Sequence, residues 1–191
     1  MTTKDLRGSP GGMVSRVSPR LSPLPPEQWD DSLKALLEHS PGGLERPLDI
    51  FTTLARHPNL FRRWLGFGGA LLEGKLEPRQ RELVILRTAH NCGSDYEWTQ
   101  HVPMARAVGV RDGEVESVRK PLEAGGWSDA DGALLRAADE LHENFGLSDE
   151  TWARLTRNLD PARCIELVML VGQYHLVALT ISALQIEIET P

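Results

Sequence analysis

The stretch NCGSDYEWTQH, Asn91 to His101, gathers a cysteine, two carboxylates and a histidine into eleven residues. Such a set can serve thiol redox chemistry, metal ligation, proton transfer or plain helix capping. Capping accounts for part of it. Ser94-Asp95-Tyr96-Glu97 fits the box in which a serine oxygen accepts the amide three residues on and a glutamate reaches back to the serine amide. His101 is harder to place that way. On a helix it shares an apolar stripe with Trp98, Val102, Ala105 and Val108, so its ring should point inward. Glu97, four residues earlier, is its neighbour on the same surface. An imidazole beside a carboxylate can be held in one tautomer and act as a base near neutral pH. A hydrogen-bonded core histidine fits the same spacing.

Metal ligation needs more ligands than this stretch supplies. Glu97 and His101 offer two, and Glu82 or His90 on the preceding segment a third, but no HExxH or Cys/His spacing supports a site, so no metal is expected. Cys92 sits just before a predicted helix N-terminus, where the dipole lowers a thiol pKa. No resolving cysteine is near it. The second cysteine, Cys164, lies 72 residues away, so there is neither a CxxC nor a disulfide framework.

The elements that must carry these residues read as helices throughout. WDDSLKALLEH is a short helix before SPGG. Pro47 can open a helix through LDIFTTLARH, and Pro58 another through NLFRRWLGFGGALLEG. Pro78 opens RQRELVILRTAH, and Ser94 caps the helix that follows, which ends at Gly109. Asp112 can cap a helix to about Lys120. Ser128 caps DADGALLRAADELHENF, closed by Gly146, and Ser148 caps DETWARLTRNL. Asp160–Pro161 starts the long last helix. No segment shows bounded strand alternation. The expectation is an all-α, single-domain bundle of about eight helices over residues 21–191, preceded by a disordered arm over 1–20.

Bulk properties narrow the class. A chain of 191 residues with 40% hydrophobic and 25% charged residues fits one globular domain. A net charge of −6 leaves no basic footprint for nucleic acid. The most apolar run, CIELVMLVGQYHLVALTISALQI, is interrupted by Glu166, Gln173, Tyr174 and His175, and reads as a buried core helix, not a membrane span. With two cysteines and no apolar leader at its start, the sequence suits a reducing cytoplasm.

Taken together, RQRELVILRTAHNCGSDYEWTQHVPMARAVGV, with LARHPNLFRRW before it and ADGALLRAADEL, TWARL and VGQYHLVALTISAL after it, resembles the carboxymuconolactone decarboxylase-like family and its alkylhydroperoxidase D-like fold. The resemblance spans about residues 20 to 188. The peroxidase branch of that group carries CxxCxxxH with a glutamate about a helix length earlier. Aligned on His101, the two sulfur positions fall on Ser94 and Glu97, and the earlier glutamate on Glu82. A disulfide relay needs two sulfurs, so the resemblance points away from that chemistry. The decarboxylase branch works by protonation, without metal or organic cofactor. It implies His101 as base or acid, Glu82 as the group that orients or protonates it, Glu97 as a second proton carrier, and a hairpin that brings Glu82 to His101. Cys92, Tyr96, Trp98 and Tyr174 are the candidates for contacting a small-molecule substrate, with His175 a further candidate from the last helix. Arg79, Arg81, Arg87 and Arg106 fall mostly at the surface by helical spacing.

Three readings follow. The first is a cofactor-free lyase, isomerase or hydrolase acting on a small carbonyl or lactone compound. The second is a peroxide-reactive protein that uses Cys92 alone. The third is a non-catalytic homo-oligomer or binding module, with Phe61, Trp64, Leu65 and Phe67 as interface candidates.

Overall fold

The structure is a computed structural model that describes residues 18–189. Most of the arm expected over residues 1–20 lies outside that range. Nine α-helices and two 3-10 turns account for the regular structure, with no strand among the described residues. In chain order the helices are α1 (Asp31–Glu38), α2 (Asp49–Leu54), α3 (Pro58–Leu72), α4 (Pro78–Asn91), α5 (Asp95–Ala107), α6 (Asp112–Val118), α7 (Asp129–Asn144), α8 (Asp149–Leu155) and α9 (Pro161–Leu184).

Local chemistry explains most boundaries. Asp30, Ser128, Ser148 and Asp160 each accept the backbone amide three residues on, which satisfies one of the donors a helix start leaves free. Pro58, Pro78 and Pro161 occupy first helical positions, where a missing amide costs nothing. Three expected boundaries move. α2 starts at Asp49, with Leu48 at its cap, two residues after Pro47. α6 has Arg111 at its cap, held by the Glu114 side chain, so Asp112 is already helical. The left-handed residue that closes α7 is Phe145, at φ 54°, and not Gly146.

The central element is α4, in which every residue from Glu82 to Ala89 is buried. It packs against α5, α7 and α9. One apolar cluster joins α4, α7, α8 and α9 through Val84, Ile85, Leu134, Leu155 and Leu167. A second fills the space between α1, α2, α3 and the end of α9. There Phe61 packs on Phe51 and Trp64 with ring centroids 6.1 and 6.3 Å away, so of the residues considered for a subunit interface Phe61 is interior and Trp64 is half-buried against it. A third cluster lies under α5 and α6.

α9 is long and apolar enough to cross a membrane by length and composition alone. Its buried face, with Leu167, Leu170, Val171 and Tyr174, belongs to the first cluster. Ile165, Val168, Met169, Leu176 and Leu179 stand exposed on the outer side, so the helix is buried on one face and not all round.

The arginines also depart from expectation. Of the four, only Arg106 is at the surface. Arg87 is buried and grips Asp139 of α7 through Nε and Nη2 at 2.6 and 2.8 Å, while also donating to the carbonyls of Val118 and Lys120. Asn91 donates to the same Asp139 at 2.8 Å. Arg79 bridges Glu114 and Asp131, and Arg81 lies against Glu82. Helical spacing could not foresee that α4 has neighbours on every side.

Candidate active site

The hairpin between α4 and α5 sets the site. Gly93 adopts φ 63°, a conformation that carries little penalty for glycine alone. The Gly93 amide bonds the His90 carbonyl at 3.0 Å, and the Ser94 amide bonds Ala89 at 2.9 Å. This is the Schellman arrangement, which ends α4 and turns the chain back on itself. It also takes up the Ser94 amide. Ser94 Oγ still accepts the Glu97 amide at 3.4 Å, but the return half of the capping box has no donor left. The Glu97 side chain turns into the protein, where neither carboxylate oxygen has a hydrogen-bond partner. Burial pushes its pKa up to about 8, partly offset by the nearby Ser94 hydroxyl.

One turn further along α5, His101 is buried. Its Nδ1 lies 2.8 Å from Glu82 Oε2, and its Nε2 lies 3.1 Å from the Tyr174 hydroxyl of α9. With a carboxylate at Nδ1, that nitrogen carries the proton, so Nε2 is the acceptor and the tyrosine donates to it. The two rings meet edge to face, centroids 5.0 Å apart. Glu82 is fully buried behind the imidazole, and Arg81 Nε stands 3.4 Å from its other oxygen. Burial and the nearby carboxylates of Glu82 and Glu97 push the Tyr174 hydroxyl pKa upward, so it stays a neutral donor.

Glu97, His101 and Tyr174 open on a cleft of about 610 Å³. Its walls are mostly apolar, among them Leu48, Phe51, Trp64, Leu72, Met104 and Val177. Gln100 and Gln173 add neutral polar groups. A cavity of this size and character suits a small organic molecule.

Residues 58–140 match the carboxymuconolactone decarboxylase family. Solved structures similar to this one are alkylhydroperoxidase D-like. They include an alkylhydroperoxidase AhpD core, a peroxidase-related protein from Ralstonia eutropha, at 15% identity and TM-score 0.75, over 88% of this chain and 93% of that one. A peroxidase-related protein from Silicibacter sp. gives 12% identity and TM-score 0.79 over 94% and 96%. The chain is carboxymuconolactone decarboxylase-like. The debrominase Bmp8, as a cysteine-to-alanine variant in complex with 2,3,4-tribromopyrrole, shares the fold at 15% identity and TM-score 0.79, over 92% and 94%. No curated protein matches the sequence.

Within this carboxymuconolactone decarboxylase-like chain, the residues singled out in the sequence separate into two groups. Glu82, Glu97, His101 and Tyr174 come together. Tyr96 lines the cleft, but its hydroxyl is bound to Glu189 of the C-terminal segment. Trp98 lies away from the cleft, packed toward the cluster under α6, with the Arg119 guanidinium 3.9 Å above its ring. Cys92, the cap of α4, also lies outside the cleft, and its Sγ is 4.0 Å from His142 of α7. Burial, with Glu97 nearby, pushes its thiol up to about 11, opposite to the lowering expected from a helix N-terminus. The cysteine ends α4 before it can begin α5. His175 points to His142 and not into the cleft, and His90 is exposed. Gln100, Gln173 and Arg81 were not singled out for the site. They carry no motif, and only the packing of α4, α5 and α9 selects them.

Proposed function

We propose that this protein is an acid–base enzyme, a lyase, isomerase or hydrolase, acting on a small carbonyl or lactone compound. The observation that carries this reading is the chain Glu82–His101–Tyr174 ending at an apolar cleft, beside a Glu97 carboxyl that burial keeps protonated near neutral pH. Each group then has one task. Nε2 of His101 takes a proton from the carbon next to the carbonyl, or from an attacking water, once substrate displaces the tyrosine hydroxyl. Glu82 holds the Nδ1 hydrogen and stabilises the imidazolium that forms. Neutral Glu97 donates a hydrogen bond to the oxygen on which charge develops. Because Glu97 is neutral, it does not repel an electron-rich substrate, and the apolar walls favour a compound with little net charge.

The reading built on Cys92 as a peroxide-reactive thiol is not favoured, since a thiol pushed up to about 11 carries little thiolate at neutral pH. Proton exchange tests the proposal across a whole class of compounds at once. Small lactones, ketones and β-keto acids are incubated with the protein in deuterated water, and exchange next to the carbonyl is followed by NMR alongside product formation. Exchange or turnover that disappears in His101→Ala and Glu82→Gln proteins of unchanged fold supports the proposal. Activity that survives both substitutions refutes it.

A further inference from the structure

We infer that Cys92, His142 and His175 form a site for a borderline-soft divalent transition-metal ion, zinc being the fitting example. The three residues come from three helices: the cap of α4, the last turn of α7 and the middle of α9. Their ligand atoms lie within 4.8 Å of one another. His142 Nδ1 is 2.9 Å from His175 Nε2 and 4.0 Å from Cys92 Sγ. Tetrahedral zinc, with bonds of about 2.3 Å to sulfur and about 2.0–2.1 Å to nitrogen, holds its ligand atoms roughly 3.3–3.6 Å apart. The ring pair must open slightly and the sulfur close in, movements available to half-buried side chains.

Two further features make this a prepared set. The Nδ1 hydrogen of His175 is donated to the Val171 carbonyl at 2.8 Å. That bond fixes the tautomer with the Nε2 lone pair directed at His142 and Cys92, the outer support a ligating histidine ordinarily has. The second feature is the grip of Arg87 and Asn91 on Asp139, one turn before His142. It locks α4 to α7 beside the cysteine, so the ligands rest on rigid elements.

In the metal-free protein, two imidazole nitrogens 2.9 Å apart must share a proton, His142 donating to His175. A cation takes that proton's place. His142 shifts its hydrogen to Nε2, and the Cys92 thiol releases its proton to solvent to become a thiolate ligand. One sulfur and two nitrogens match zinc, and three protein ligands leave a fourth position for water or another small donor. None of the three residues lines the cleft, so this inference stands independently of the acid–base proposal.

The test uses the full chain, stripped with chelator and titrated with Zn²⁺ alone against a chromophoric indicator, then with Co²⁺ as a spectroscopic probe. The expected result is one equivalent of saturable binding, with a thiolate-to-cobalt charge-transfer band and the visible bands of a tetrahedral ion. Cys92→Ser should lose that band and weaken zinc binding by roughly 100-fold or more. Cys164→Ser should leave both unchanged. His175→Gln should weaken binding similarly. If it fails to fold by circular dichroism, Cys92→Ser, a nearly isosteric change, decides alone. Absence of stoichiometric binding in the folded wild-type chain, or binding indifferent to Cys92→Ser, overturns the inference and leaves the two histidines a structural pair.

Discussion

Glu97 offers the sharpest quantitative test, because its burial couples ionisation to folding. Its carboxyl titrates at about 8 in the folded protein, against an ordinary value of 4.5. Each pH unit of that difference is worth roughly 1.4 kcal/mol, so the full effect is about 5 kcal/mol. Between the two values the folded protein holds a proton that the unfolded chain has lost. The stability due to the neutral carboxyl is therefore intact below about pH 4.5 and is lost as pH rises through about 8. Relative to a permanently neutral side chain, the cost is about 1 kcal/mol at about pH 5, about 3 at about pH 7, and close to the full amount at about pH 9. Glu97→Gln keeps the shape and removes the titration. Urea unfolding at those three pH values should show the Glu97→Gln protein gaining on the wild type by about 4 kcal/mol from the acidic to the alkaline end. In thermal scans, at roughly 2–4 °C per kcal/mol for a chain of this size, the gap should widen by about 8–16 °C. If the two stability profiles instead run parallel within about 1 kcal/mol, Glu97 is ionised or hydrated in the folded protein, and its role as a neutral donor in the cleft is refuted.

Tyr174→Phe removes the hydroxyl that donates to His101 Nε2; it should change stability by about 1 kcal/mol while lowering turnover of any substrate found by the exchange assay, and unchanged turnover would remove the tyrosine from the mechanism. Asp139→Ala leaves the buried Arg87 guanidinium without its carboxylate and should cost about 3–5 kcal/mol by urea unfolding; a loss under 1 kcal/mol would mean that solvent reaches the pair. In chelator-treated protein, the Cys92 thiol at about 11 against an ordinary 9.0 should alkylate on the order of 100-fold more slowly than a free cysteine at neutral pH. Labelling by iodoacetamide, read by peptide mass spectrometry, checks this, and a rate equal to that of free cysteine would contradict the burial.

Much of the helical layout was legible because each start signal is local. Asp30, Ser128, Ser148 and Asp160 lie next to the amides they cap, and Pro58, Pro78 and Pro161 act on their own backbone. The approach of Glu82 to His101 was expected from the family resemblance, which implies the hairpin that joins their helices. Glu97 was half legible: its spacing from Ser94 suggests a cap, but the Gly93 turn claims the Ser94 amide first, a competition between two motifs that neither reveals alone. Tyr174 contacts a histidine 73 residues away, and His142 meets Cys92 across a gap of 50. Nothing in local spacing encodes such meetings. The burial of Arg87 was missed for the same reason, since the acid that makes it tolerable lies on α7.

The C-terminal segment has a practical consequence. The Glu189 carboxylate receives the Tyr96 hydroxyl, the Gln100 amide and the Asp49 backbone amide, joining the start of α2 to α5. Ile50, Phe51, Tyr96 and Gln100 belong to the cleft wall, so this single acid works like a buckle between two parts of that wall. Tags, fusions and proteolytic trimming next to Glu189 are therefore not neutral choices. A chain cut before Glu189 loses the fastening altogether and should bind cleft ligands more loosely than the intact one.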